Sequence, residues 1–268
     1  MGTKTRVCCF AFLKSALSIS RAFTFVAISL LGVSLAQARD LTGIDKLATL
    51  PPDAKPVSKV VAEAGKNVHT EPRLGVPTFL WVQRIGPVAT QAADIARSAP
   101  ADPSGAARAY LRGLGAHYSL PPQQADAAAL VYTQTLKNGS SIVRFRNQID
   151  GIDVFREEAT VLLGADRKLV TISGFLMGGK SSASFNFSPT EAIAKVLSDW
   201  SLDAQSGALL QETETRDGYQ YFNLPAGMTS IDGSSLNAPV RTKRVWFRLP
   251  KQLVPAYYIE AQVNDGTK

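Results

Sequence analysis

Four segments of alternating hydrophobicity, separated by short turns, constrain the fold of this chain more than any other feature. The segments are Leu130–Leu136, Ser141–Ile149, Ile152–Leu163 and Lys168–Phe175. Asn138-Gly139 and Asp150-Gly151 separate the first three segments, and both dipeptides favour the left-handed geometry of tight hairpin turns. Alternation with period two between such turns predicts a four-stranded antiparallel meander. We expect its third strand to be interrupted near Arg156-Glu157.

A helical pattern precedes the meander. Apolar residues recur at helical spacing from Ala107 to Leu114, with Pro103 just before the pattern and Gly115 as a plausible end. A strand is expected earlier, at Thr78–Arg84, whereas the alanine-rich stretch 87–103 fits either a loop or a frayed helix. One helix followed by a meander predicts an α+β layer in which the helix covers one face of the sheet.

The pattern repeats after a small, polar stretch at residues 177–187. Ser188-Pro189-Thr190-Glu191 is a capping box with proline at the first helical position, and the apolar face of the helix runs from Ile193 to Trp200. The strands expected after this helix are Tyr219–Leu224, Val240–Leu249 and Tyr257–Val263. Asp265-Gly266 then indicates a turn without a return strand, so we expect the chain to end inside this second unit.

The amino terminus predicts export. The uncharged run Ala22–Leu35 follows a basic segment and ends before Ala36 and Ala38, small residues at the two positions that signal peptidase reads. The run is shorter than the ~20 residues of a membrane-spanning helix. Residues 1–38 are therefore interpreted as a signal peptide for the Sec pathway, and the product as secreted, either directly or by way of a periplasm. Cys8 and Cys9 lie in this leader, so the processed chain would carry no thiol.

Charge and motifs disfavour several functions. The net charge is +7, but removing the leader leaves 25 basic and 22 acidic residues, or +3, which weakens a nucleic-acid interpretation. His69 and His117, the two histidines, lie too far apart in sequence to share a helical face as zinc-peptidase ligands do. Neither a nucleophile elbow nor a phosphate-binding loop is present. We therefore expect no catalytic residue, cofactor or metal site in this chain.

A second set of residues carries a resemblance to a known family. A strand ends near Gln148 and is followed by Gly151, Ile152, Val154 and Phe155, and a later strand ends at Ser173-Gly174. This pattern resembles the fungalysin/thermolysin propeptide domain. The capping box at 188–191, with its helix and the strands after it, resembles the PepSY-like unit that follows in such precursors. Arg156-Glu157-Glu158 departs from the family pattern, which more often has small or apolar residues there.

The resemblance implies a domain organisation and a function. It divides the chain into a signal peptide (1–38), an extended arm (39–74), a propeptide domain (75–176), a linker (177–187) and a PepSY-like unit truncated at its end (188–268). Both folded units are expected to be small helix-on-antiparallel-sheet structures of the cystatin-like or PepSY-like kind. Such pro-regions assist the folding of a secreted zinc endopeptidase and inhibit it. The partner would be that peptidase domain, in cis beyond Lys268, and zinc would belong to it alone.

Several alternatives stay open at this point. Arg144 and Arg146, opposite Val143 and Phe145, fit a solvated sheet face or a contact with an acidic peptidase surface. His69 lies in the expected arm, where ligation of a peptidase zinc in trans is conceivable but disfavoured, and His117 after the helix end fits a surface or capping residue. A carboxylate pair is unsupported by the spacing of the acidic residues Asp199, Asp203, Glu212 and Glu214. The rival function is a free-standing exported cystatin-like inhibitor or ligand-binding module, bound to neither membrane nor nucleic acid. A third, an enzyme in its own right, is disfavoured.

Overall fold

The computed structural model describes residues 4–11, 68–82, 86–180, 184–199, 209–224, 235–236, 238–249 and 252–264. In chain order the strands are β1 Lys4–Ala11, β2 Val68–Glu71, β3 Val76–Trp81, β4 Ala129–Thr135, β5 Ser141–Ile149, β6 Ile152–Leu163, β7 Leu169–Gly174, β8 Gln211–Arg216, β9 Tyr219–Asn223, β10 Ser235–Leu236, β11 Val240–Leu249 and β12 Gln252–Asn264. The helices are α1 Gly86–Ser98, α2 Pro103–Gly113, α3 Pro122–Ala127 and α4 Pro189–Asp199. The mixed α+β class predicted from the sequence is confirmed.

The described residues group into two compact units. The larger unit takes its residues from 46–184 and from 244–255, and the smaller unit takes the rest. Strands β11 and β12 therefore each contribute residues to both units. The segment 244–255 is separated in sequence from the remainder of the larger unit, and no local sequence pattern indicated this assignment.

The larger unit is built on an antiparallel sheet with the strand order β2-β3-β7-β6-β5-β4. Strands β4 to β7 form the predicted meander. Inward-facing residues of β5 and β6, such as Val143, Phe145 and Val161, are fully buried against α2, where Tyr110 is also fully buried. Burial of this apolar face is the main stabilising term for such a layer.

Local chemistry explains where the helices of this unit begin. The side chain of Asp102 accepts a hydrogen bond from the Gly105 N–H at 2.7 Å, which caps α2, and Pro103 occupies its first turn. The alanine-rich stretch left open by the sequence forms α1, which buries Val88 and Ala92. The short helix α3 was not predicted.

In the described part of the smaller unit, the helix α4 lies on an antiparallel sheet. Ser188 N–H donates to the Glu191 carboxylate at 2.6 Å, and Glu191 N–H donates to Ser188 Oγ at 3.2 Å. The predicted capping box is thereby confirmed. The helix α4 buries Ile193, Val196 and Leu197 against sheet residues that include Phe222, Val240, Tyr257, Ile259 and Ala261. Strand β8 was not predicted, and it pairs with β9.

The strand β1 lies within the predicted signal peptide. It pairs antiparallel with β12 from Lys4 opposite Val263 to Ala11 opposite Ala256. A chain from which residues 1–38 had been cleaved would lack this strand. The turn predicted at Asp265-Gly266, the cleavage residues Ala36 and Ala38, and most of the predicted arm lie outside the described residues.

Candidate functional site

The first part of the recognised motif forms a hairpin between β5 and β6. Asp150 and Gly151 have φ angles of 53° and 75°, the two positive values that a type I′ turn requires. Gln148 Nε2 donates to Asp153 Oδ1 at 2.8 Å across the hairpin, and Ile152 pairs with Ile149. A Cβ atom on Gly151 would meet nothing within 4 Å. Gly151 is therefore needed for its backbone conformation and not for space.

The second part of the motif lies in a bulge of β6. Arg146 on β5 pairs with Glu158, but Gln148 pairs with Asp153, so residues 154–157 have no matching partners on β5. Arg156 has a φ of 60°, which is rare for a residue with a side chain. The bulge coincides with the interruption expected near Arg156-Glu157. Bulges of this kind redirect side chains and end a pairing.

The bulge receives residues from β11. Trp246 pairs in parallel with Val154, and its Nε1–H donates to the Ile149 carbonyl oxygen at 2.9 Å. The rings of Phe247 and Phe155 are stacked, with centroids 6.0 Å apart. We call Ile149, Val154, Phe155 and Glu157 the ledge, because β11 docks on them. Two of the recognised motif residues, Val154 and Phe155, thus have a definite structural role.

A buried ion pair completes the ledge. The side chains of Glu157 and Arg248 are 1% and 9% exposed, and Arg248 Nε donates to Glu157 Oε1. Glu157 Oε2 also accepts from Asn147 Nδ2 at 2.6 Å and from the Met177 N–H at 3.2 Å. The guanidinium donates further to the carbonyl oxygens of Met177 and Gly178, both at 3.1 Å. Such full hydrogen bonding is what makes a buried ion pair tolerable. The role of this ion pair is therefore structural, because it holds β11 against the bulge of β6.

The recognised motif ends at a close approach between strands. Gly174 closes β7 with a φ of 76°, and a Cβ atom there would overlap the Glu158 carbonyl oxygen. The Phe175 N–H donates to that same oxygen at 2.9 Å. Gly174 is therefore required because its φ is positive and because a Cβ atom would not fit there. Ser173 pairs with Thr160 and Phe79 on the neighbouring strands.

Arg144 and Arg146 share an acidic partner. Arg144 Nη2 and Arg146 Nε both donate to the Glu158 carboxylate, the latter at 2.9 Å, and Arg146 Nη1 lies 3.4 Å from Asp153 Oδ2. Desolvation raises the pKa of Glu158, but the hydrogen bonds from Arg146 and Arg144 outweigh it, so the net pKa is lowered. Both arginine side chains are still more than one-third exposed. A partner could therefore contact these side chains while their ion pairs with Glu158 hold them in place.

These arginines belong to the sheet face opposite the helices, which we call the open face. Cross-strand pairing places Tyr132 beside Arg144 at one end of it. At the other end, His69 and Phe79 are in edge contact at 6.1 Å, and Phe79 and Trp81 at 6.4 Å. Trp81 is 37% and Tyr132 40% exposed. Tryptophan, tyrosine and arginine are the residues most enriched at protein interfaces, so the open face is the candidate interaction surface.

The smaller unit carries a second group of aromatic and charged residues. Arg241 donates through Nε and Nη2 to Glu260 Oε2 at 2.9 and 2.6 Å. The Arg241 guanidinium also lies 4.8 Å from the ring centroid of Tyr219, and Lys243 Nζ lies 5.0 Å from it. Burial raises the pKa of Tyr258, and its hydrogen bond to Glu260 raises it further. These contacts hold the aromatic rings in place on the strand surface.

The histidines and carboxylates considered from the sequence, as far as the structure describes them, lie on several different elements. His69 lies on β2, while His117 lies in a 3₁₀ turn at Gly115–Tyr118, where burial lowers its pKa. Glu212 and Glu214 are exposed on β8, Asp199 ends α4, and Asp203 lies outside the described residues. Among the residues that the structure describes, no group of three or more potential ligands could hold a metal ion.

Sequence reasoning missed the buried polar and aromatic residues at the ledge. Asn147, Glu157, Trp246 and Arg248 were not singled out as site residues. One signal was available, because Glu157 is a charged residue at a position where the resembling family more often has small or apolar ones.

No described helix is long and apolar enough to cross a membrane. Comparison with models of known protein families gives no match, and neither does comparison with curated protein sequences.

Proposed function

We propose that this chain is the non-catalytic pro-region of a secreted zinc metalloendopeptidase. It would assist the folding of the peptidase domain in cis and inhibit it until the pro-region is removed. Zinc would be bound by that domain and not by this chain. In this proposal the larger unit is the fungalysin/thermolysin propeptide domain, and the smaller unit is PepSY-like. The resemblance of Gly151, Ile152, Val154 and Phe155, followed by Ser173-Gly174, to that family supports the assignment.

The open face is the observation that carries the proposal. It presents Trp81 and Tyr132 as partly exposed aromatic side chains that a partner could contact. Arg144 and Arg146 lie on the same face, and their ion pairs with Glu158 hold them in place. A rigid sheet loses little conformational entropy when it binds, because its side chains are already positioned. A preformed surface of this composition suits templating of a partner's folding better than it suits chemistry on a small molecule.

The experiment uses the zinc endopeptidase domain that this proposal expects downstream in the same reading frame. The denatured domain is refolded with and without the chain, and recovered peptidase activity is measured after the chain is removed by proteolysis. Inhibition is measured separately by adding the chain to active peptidase. We expect the chain to increase the recovered activity and to inhibit the active enzyme.

A matched pair of variants tests the role of the open face. Trp81→Glu places a charge on that face, and Leu209→Glu makes the same kind of change at another exposed apolar residue, 46% exposed. We expect Trp81→Glu to weaken inhibition at least about tenfold, equivalent to 1.4 kcal/mol, and Leu209→Glu to leave it unchanged. Equal inhibition by both variants would exclude the open face as the docking surface.

The rival proposal is a free-standing exported inhibitor or ligand-binding module. The layer of α2 on an antiparallel sheet favours it, since cystatin-like modules have that layout. The reading frame distinguishes the two proposals. A His-Glu-x-x-His sequence downstream supports the pro-region, and a stop codon directly after Lys268 supports the free-standing module.

A further inference from the structure

The loop between β4 and β5 carries a dipeptide with a reactivity of its own. Asn138-Gly139 is the one asparagine–glycine pair in the sequence. Both residues are exposed, and neither belongs to a strand. The Leu136 N–H closes the loop by donating to the Ser140 carbonyl oxygen at 2.7 Å. Because glycine has no side chain, its backbone nitrogen is open to a reaction with the preceding side chain.

A hydrogen bond folds the side chain of Asn138 over the residue that follows it. Asn138 Oδ1 accepts from the Ser140 N–H at 3.1 Å, so the side-chain carbonyl group lies against the backbone that contains the Gly139 nitrogen. A donor at this oxygen also draws electron density away from Cγ, which makes that carbon a better electrophile. The Gly139 N–H donates to the Leu136 carbonyl oxygen at 2.9 Å. This hydrogen bond must open before the nitrogen attacks, and hydrogen bonds at exposed loop tips open at low cost in free energy.

We propose that Asn138 is a site of spontaneous deamidation. The Gly139 nitrogen forms a bond to Asn138 Cγ, its proton passes to the side-chain nitrogen, and that nitrogen leaves as ammonia. Water then opens the five-membered succinimide at one of its two carbonyl carbons, which gives aspartate or isoaspartate. Nothing is oxidised or reduced, and water is the co-reactant. This inference does not depend on the pro-region proposal.

Three other asparagines lack this combination of features. Asn147 is 2% exposed, and its Nδ2 donates to the Glu157 carboxylate at 2.6 Å and to a backbone carbonyl oxygen at 2.8 Å. Asn186 and Asn223 are exposed, but a phenylalanine and a leucine follow them. Side chains of that size hinder the approach of the backbone nitrogen to Cγ. We therefore expect the reaction at Asn138 to be the fastest of the four.

The isoaspartate product would change the loop as well as its charge. It adds a methylene group to the backbone and so lengthens the loop that Leu136 and Ser140 close. Directly beside this closure, Thr135 pairs with Ser141, and their hydroxyl oxygens lie 3.3 Å apart. A longer loop no longer fits this register, so we expect the loop end of the β4–β5 pair to loosen.

The test is peptide mass spectrometry of the purified full chain after incubation at mildly acidic and at mildly alkaline pH. Conversion of the amide to an acid raises the mass of the peptide, and chromatography separates its aspartate and isoaspartate forms. We expect conversion at Asn138 to be at least about tenfold faster than at Asn186. It should also be faster at alkaline pH, because the attacking nitrogen must lose its proton. A sample digested without incubation gives the baseline.

Two variants serve as controls, and circular dichroism verifies that each is folded. Asn138→Gln keeps the amide but would have to close a larger ring, so its peptide should gain no mass over the same time. Freshly prepared Asn138→Asp has the charge of the product without the longer backbone. It should keep the amide-exchange protection at Thr135 that the incubated, unmodified chain loses.

Two results would overturn the proposal. One is conversion at Asn138 that is no faster than at Asn186. The other is conversion that does not rise with pH. Unchanged exchange at Thr135 in a fully converted sample would overturn the expected loosening of the β4–β5 pair.

Discussion

Replacing Arg248 by leucine should destabilise the protein severely. In Arg248→Leu, Glu157 keeps the N–H groups of Asn147 and Met177 but loses every guanidinium hydrogen bond while it stays buried. Removing one partner of a buried ion pair costs about 3–5 kcal/mol, because the remaining charge is left uncompensated. For a protein of this size the cost corresponds to a Tm lowered by roughly 6–20 °C.

The reverse change and the double change give different magnitudes. In Glu157→Leu, Arg248 still has the carbonyl oxygens of Met177 and Gly178 as acceptors, so we expect the lower end of the range, about 3 kcal/mol. Glu157→Leu/Arg248→Leu removes both charges but leaves the buried Met177 N–H without its acceptor, which costs about 1–3 kcal/mol. The double variant should therefore be more stable than Arg248→Leu alone.

The assay is a double-mutant cycle in urea, followed by far-ultraviolet circular dichroism. The control is Arg97→Leu, because Arg97 and Asp94 form an exposed pair with side chains 78% and 59% accessible. We expect no resolvable change in its unfolding midpoint. An Arg248→Leu variant as stable as Arg97→Leu, or a double variant whose loss equals the sum of the single losses, would refute the reasoning.

Three further predictions concern the motif, the acidic residue of the open face and metal binding. Gly151→Val should cost about 1–2 kcal/mol through backbone strain alone, and Gly174→Val should cost more in the same thermal unfolding experiment, because Gly174 also lacks space for a Cβ atom. The pKa of Glu158 is lowered on folding from an ordinary value of 4.5, so its stabilising effect is present above that pH and is lost as the pH falls through the folded-state pKa. Glu158→Gln should accordingly be less stable than the unmodified chain at pH 7, and the difference should disappear in acid urea titrations. The purified chain should neither hydrolyse casein nor bind zinc stoichiometrically in equilibrium dialysis, and zinc-dependent proteolysis would contradict the proposal that the chain is non-catalytic.

Features with strong local causes could be predicted from the sequence. The meander follows from alternation and from Asp150-Gly151, and the capping box at Ser188 fixes the start of α4. The other Asp-Gly hairpin, at Asp217-Gly218, has the same pair of positive φ angles. It was missed because β8, which precedes it, consists of polar and charged residues and shows no apolar alternation.

The tight turn predicted at Asn138-Gly139 differs from the observed loop. Only Gly139 of the two residues has a positive φ, and the loop closes between Leu136 and Ser140.

Features that depend on distant residues could not be predicted from local patterns. The charge of Glu157 gave no indication of its partner, because Arg248 lies in a different predicted unit. Periodicity identifies which face of a strand is apolar, but it does not identify the strand that will cover a bulge.

The assignment of 244–255 to the larger unit has a consequence for the order of folding. Glu157 and Arg248 are 91 residues apart, and closing a flexible loop of that length costs about 4 kcal/mol of chain entropy. Contacts with such sequence separation slow folding because this entropy is lost before the contact forms. As the chain is synthesised, the meander is complete long before Arg248 leaves the ribosome. The ledge therefore fills only after the meander has been made, and a chain that ends before Arg248 holds Glu157 without its counter-ion.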